Sequence, residues 1–181
     1  MKLTICTTLS ALLFAAAFCA LKADEPKKPA ASPEFEKLKT LVGTWHGKTD
    51  MGNGPVDMDL HFRLLAGGSV LEERVFEGTP QEMVTMFYDK AGKLALTHYC
   101  VLGNRPEMAL KSSTGNTLTF DFDSCCGIDT AKESHMHAMT LRFDDADTVT
   151  SGCKALIDGK EMPDHLVTLK RVKTETTAAA K

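Results

Sequence analysis

Apolar and polar residues alternate every second position in stretch after short stretch of this chain, and each stretch ends in a turn signal. The run Val56-Asp-Met-Asp-Leu-His-Phe-Arg-Leu64 is the clearest case. A period of two sends successive side chains to opposite faces of an extended strand, so one face is buried while the other meets water. The remaining stretches cover 43–51, 70–77, 83–88, 94–102, 108–114, 117–123, 135–143, 148–157 and 165–172. Gly52-Asn-Gly-Pro55, Gly78-Thr-Pro80, Asp89-Lys-Ala-Gly92, Thr114-Gly-Asn116 and Asp158-Gly-Lys160 punctuate them. Strands and turns at this spacing predict an all-β fold, a single antiparallel up-and-down β-barrel of about ten strands.

One helix is expected ahead of the strands. Ser32-Pro33 suits an N-cap and first helical position, and Phe35, Leu38, Leu41 and Val42 recur at helical spacing up to Gly43. In a meander, alternate connections share an end. The short ones (66–69, 89–92, 114–116, 144–147) define a closed end covered by the helix. The longer ones (51–55, 78–81, 103–106, 124–134, 158–163) define the mouth, where a barrel admits its ligand. If the barrel closes, its first and last strands are antiparallel neighbours. Trp45 and Arg171 are then expected to stack at the closed end.

The barrel domain is expected over 33–172, between a flexible Lys/Pro/Ala tether at 24–32 and a disordered polar tail at 173–181. Residues 1–23 carry Lys2, an apolar run from Leu9 to Leu21 and a small-residue end, the pattern of a secretory signal peptide. The run is shorter than the ~20 apolar residues of a membrane span. A periplasmic or secreted, monomeric protein without an integral membrane span is therefore expected. The whole chain has 21 Lys and Arg against 24 Asp and Glu; without Lys2 and Lys22 the excess of acid is five. That balance argues against a nucleic-acid partner, which needs a basic face. Of six cysteines, Cys100, Cys125, Cys126 and Cys153 follow the leader. An oxidising compartment favours disulfides among them, and Cys100 with Cys125 or Cys126 is the expected pair, because the loop after the seventh strand reaches the top of the fifth.

The stretch from Lys93 to Met108 holds the chemistry of most interest. Leu94, Leu96, His98 and Cys100 share a face before Gly103-Asn104 and Pro106 break the strand. His135, His137, Met139 and Leu141 are likewise expected on one face. The candidate ligand-binding residues of the mouth and interior are His98, Cys100, His135, His137, Met139 and His165. The pairs His98-x-Cys100 and His135-x-His137 have a spacing that suits a metal, and they are the metal candidates. The plainer expectation is hydrogen-bonded histidines with Cys100 buried or bridged. Met58, Met83, Met86, Met108, Met136 and Met139 are expected as adaptable interior fillers. His46 and His61 are expected outward. Glu72-Glu73 and Asp144-Asp145 read as solvated faces or turns, and no nucleophile context or phosphate loop is present.

Gly43-Thr44-Trp45, after a short helix and before the strand pattern, resembles the opening of calycin-type barrels such as lipocalins. The fuller Leu41-Val-Gly-Thr-Trp-His-Gly47 resembles the opening of nitrobindins, ten-stranded haem barrels. Leu71-Glu-Glu73, Glu77-Gly78 and Met86-Phe-Tyr-Asp-Lys-Ala-Gly-Lys93 are similar to a family of secreted bacterial domains of unknown function, for which a related barrel is implied. The last strand, His165-Leu-Val-Thr-Leu-Lys-Arg171, resembles the one on which nitrobindins carry their haem-ligating histidine, which implies His165 as an axial ligand. These readings give a barrel that binds a small apolar or amphipathic ligand without catalysis. The alternatives are a haem barrel using His165 for nitric-oxide or peroxide chemistry, and a structural envelope protein. A narrow interior, filled by Met and Leu beside His165, is expected.

Overall fold

Every alternating stretch forms a strand in the computed structural model, which describes residues 29–50, 52–123 and 127–173. The helix α1 (Pro33–Lys39) is followed by β1 (Gly43–Asp50), β2 (Pro55–Leu65), β3 (Val70–Val75), β4 (Met83–Lys90) and β5 (Lys93–Tyr99). Then come β6 (Glu107–Thr114), β7 (Thr117–Phe122), β8 (His135–Asp145), β9 (Thr148–Ile157), the two-residue β10 (Lys160–Glu161) and β11 (His165–Arg171). Each strand from β1 to β9 pairs antiparallel with the next, β11 pairs with β9, and β11 pairs with β1. The result is a closed antiparallel barrel of ten long strands, with β10 as a short addition to the end of β9. No helix among the described residues is long and apolar enough to cross a membrane.

Local chemistry explains α1. Ser32 caps it by accepting from the backbone N–H of Phe35 at 3.1 Å, and Pro33 occupies the first turn, where its missing N–H costs nothing. The helix ends at Thr40, earlier than expected, because Gly43 takes φ +125° and turns the chain into β1. Both oxygens of the Asp89 carboxylate, at the β4–β5 turn, hold Ser32 at 2.7 Å, and the Lys37 ammonium donates to the carbonyl of Gly115 in the β6–β7 turn. The helix thus plugs the end where the turns are short. Phe35, Leu38 and Leu41 are buried there with Trp45, Leu60, Phe87 and Phe120.

Residues of β1 and β11 lie opposite one another in the order Trp45–Arg171, His46–Lys170, Gly47–Leu169. The guanidinium carbon of Arg171 stands 4.2 Å from the Trp45 ring centroid. The same guanidinium donates to the carbonyls of Val42 at 2.9 Å and Thr40 at 2.7 Å, and the Trp45 indole N–H donates to the carbonyl of Leu41 at 2.7 Å. Gly47 lets the strands approach, since a Cβ there would lie 2.7 Å from the carbonyl oxygen of Thr168.

The expected signal peptide (1–23), residues 24–28 of the tether, residues 174–181 of the tail, and Cys125 and Cys126 lie outside the described residues. Among the described residues Cys100 and Cys153 carry free thiols.

The seam is testable by replacing Arg171. Arg171→Ala, which removes the ring contact and leaves two carbonyls without a charged donor, is expected to cost about 2–4 kcal/mol in urea unfolding. Arg171→Lys restores charge without the planar fork and is expected to recover about half of that. Equal stability of all three proteins would show that strand pairing alone holds the seam.

Candidate functional site

Above the plugged end the barrel is hollow. A cavity of about 500 Å³ opens towards the longer loops. Met58, Leu60, Met83, Met136, Met139 and Val167 supply much of its apolar wall, and Val101, Leu102 and Met162 come from the loops at its mouth. A second, more open depression of about 630 Å³ lies beside the 100–106 loop, between Tyr99, Arg105 and Glu133.

His98, Cys100, Met139 and His165 all line the cavity. The space beside His165 is open, contrary to the expectation of a filled interior. The Nε2 atom of His165 is 2.5 Å from the hydroxyl of Thr49, across the β1–β11 seam. Of the methionines, Met108 is packed in the core, whereas Met86 shares the outward phase of β4 between the inward Thr85 and Phe87.

His135 and His137 do not line the cavity. On the β8–β9 ladder Met136 faces Ala155 and Ala138 faces Lys154, so His137 is one extra residue in β8. This β-bulge slips the alternation by one position. Met136 and Met139 both reach the cavity as a result, and the expected shared face of His135, His137, Met139 and Leu141 does not form. The two histidines instead pack on Phe122, with ring centroids at 4.7 Å and 5.5 Å, and His135 Nδ1–H donates to the carbonyl of Glu133 at 2.7 Å. The four metal candidates are therefore divided between two places. Among the described residues no three His, Cys, Asp or Glu side chains stand close enough together to hold a metal ion.

A polar line crosses the inner wall. Glu73 on β3 faces Thr85 on β4, which faces His98 on β5. The Thr85 hydroxyl lies 3.4 Å from Glu73 Oε1 and 3.0 Å from His98 Nδ1. Glu73 is buried, and its Oε2 meets no hydrogen-bond partner among the described residues. Burial pushes the Glu73 carboxyl up to about 7, against a smaller opposing effect of the Thr85 bond. Burial pushes His98 down to about 4. The reading of Glu72-Glu73 as solvated is thus corrected for both. Glu72, on the outer face, is covered by Arg63 and Arg74, whose guanidinium groups approach it at 2.8 Å and 2.7 Å. Burial would raise its pKa, but hydrogen bonds from these two arginines hold it below the usual carboxylate range. Alternation does contain the signal for Glu73, which stands between the inward Leu71 and Val75.

The Cys153 thiol is a poor nucleophile in this setting. Burial, then the neighbouring Glu73 and Cys100, push the Cys153 thiol up, which keeps it protonated. The geometry offers an apolar container with two carboxyls, two imidazoles and two thiols on its wall.

Glu73 makes stability depend on pH. It ionises near 4.5 in the unfolded chain and near 7 in the fold, so between those values folding takes up a proton and this contribution weakens as pH rises. His98 acts oppositely, because its folded pKa lies below the unfolded value near 6.5, so its contribution is lost as pH falls. Glu73→Gln removes the first effect alone. Its stability relative to wild type is expected to rise by about 3 kcal/mol from pH 4.5 to pH 8 in urea unfolding. A difference independent of pH would show that Glu73 is not buried as an acid.

A scan against protein-family models finds no family that matches this chain, and a search of curated proteins finds no similar sequence.

Proposed function

We propose that this protein is a secreted or periplasmic barrel that binds one small apolar or amphipathic molecule without catalysis. The observation that carries the reading is the cavity itself. Its volume of about 500 Å³ lies within the range of small-molecule sites, and like them it is mainly apolar with a few converging polar groups. Methionines on several strands suit a flexible ligand, since thioether chains adapt to irregular shapes. The resemblance of the Gly43-Thr44-Trp45 opening to calycin-type barrels supports the same reading.

The position of His165 favours one alternative, a haem bound in the same cavity for nitric-oxide or peroxide chemistry. The imidazole lines an open apolar space, as an axial ligand must. Its Nε2, however, is engaged by Thr49, and ligation through that nitrogen would displace the hydroxyl.

Native mass spectrometry of the full chain, together with fluorescence titration using the neutral probe N-phenyl-1-naphthylamine, tests the proposal. A dissociable small apolar adduct and a Kd on the order of 10–100 μM are expected. Met139→Trp, which fills the cavity, should weaken probe binding at least about tenfold, because the displaced volume is the binding site. No adduct and no saturable probe binding would refute the proposal. A Soret band on haemin titration that disappears in His165→Ala would favour the haem alternative.

A further inference from the structure

The wall of the cavity carries two carboxyls and, among the described residues, neither lysine nor arginine. Glu73 lies on its inner face and Asp50 near the mouth. Oε1 of Glu73 is within reach of Thr85, but Oε2 has no donor among the described residues, although Glu73 is only 6% exposed. A buried carboxylate oxygen without a donor bears its desolvation cost uncompensated, and a ligand that brings the donor removes that cost. A ligand with a carboxylate head would meet two acids and neither lysine nor arginine. One with a hydroxyl head would supply a donor but no charge.

We propose that the cavity selects amphipathic amines and seats a protonated primary amine on Oε2 of Glu73, with the apolar tail among the methionines. This rests on the ligand-binding reading and specifies its ligand. An ammonium presents three donors, so one site on Glu73 leaves two more to satisfy. The polar line supplies a second acceptor. With Glu73 ionised, the single Thr85 proton is donated to the carboxylate, and Thr85 then accepts from His98 Nδ1–H. That tautomer leaves His98 Nε2 as an acceptor on a residue that lines the cavity. Binding the amine therefore sets the direction of the whole Glu73–Thr85–His98 line.

The same arrangement ties affinity to pH. The Glu73 carboxyl titrates near neutrality, so an ammonium must drive off its proton in acid solution, and affinity for amines falls as pH drops from 8 to 5.5. The other titratable groups facing the cavity are His98, His165, Cys100, Cys153 and Asp50. His98, held down to about 4, stays uncharged across this window, and the raised Cys153 thiol stays protonated. Glu73→Gln isolates any contribution of His165, Cys100 and Asp50, because it removes only the carboxyl.

Calorimetric titration of the full chain with octylamine, octan-1-ol and octanoate at pH 8 tests the inference, since the three probes share a tail and differ in head. Octylamine is expected to bind about tenfold more tightly than octan-1-ol, with octanoate weakest. Glu73→Gln should bring octylamine to the level of octan-1-ol and abolish its pH dependence, while octan-1-ol shifts by less than about twofold. Equal binding of amine and alcohol by wild type, or tighter binding of octanoate, overturns the amine preference but leaves a ligand-binding barrel. Binding of none of the three overturns both readings. If Glu73→Gln does not fold, the wild-type series alone decides between these outcomes.

Discussion

Where β11 meets β1, a curled sheet becomes a barrel, and the rest of the molecule depends on that seam. Sheet closure removes the two edges that would otherwise present unpaired N–H and C=O groups. Here the last strand is held by more than its ladder. The Arg171 guanidinium lies over Trp45 and also donates to carbonyls at the end of α1, so one side chain joins the first strand, the last strand and the helix. Gly47 on β1 and Gly152 on β9 flank β11 on its two sides, and at each a Cβ would collide with β11. At Gly47 the room is needed by the backbone carbonyl of Thr168, and at Gly152 by the side chain of Leu166.

The seam also gives the barrel its polarity. The helix follows directly from closure at the Trp45 end, and it is pinned there by Asp89, Gly115 and Arg171. With Phe35, Leu38 and Leu41 filling that end, the inner positions nearest the other end have no helix to pack against. Smaller or more flexible side chains line that space, chiefly methionine, valine, cysteine and threonine. The cavity is therefore a consequence of where the aromatic residues are spent: Trp45, Phe35, Phe87 and Phe120 all lie in the packed core.

Glu73, Thr85 and His98 stand out against this apolar background. A carboxyl and an imidazole, both held towards their uncharged forms by burial, cost stability that leucine at the same positions would not. Shifted ionisable groups in a cleft are a recognised mark of functional sites, and here they coincide with an unpaired acceptor oxygen. Their strict cross-strand register explains how three residues far apart in the chain come to share one hydrogen-bonded line.

Alternation by itself determined the strands, their number and which residues of most of them face inward, because period two is a property of the extended chain and needs no partner. It also placed His98, Cys100, Met139 and His165 on the inner wall, and it contained the signal that Glu73 follows Leu71 inward. Three things were decided only by the tertiary structure. The bulge at His137 arises from the mismatch of β8 with β9, which no residue of β8 reveals alone, and it carries His135 and His137 onto Phe122. The emptiness beside His165 is a difference between the volume enclosed by the closed sheet and the summed volume of side chains from many strands. The missing partner of Glu73 depends on which groups the closed barrel brings within reach of its second oxygen, and among the described residues closure brings none.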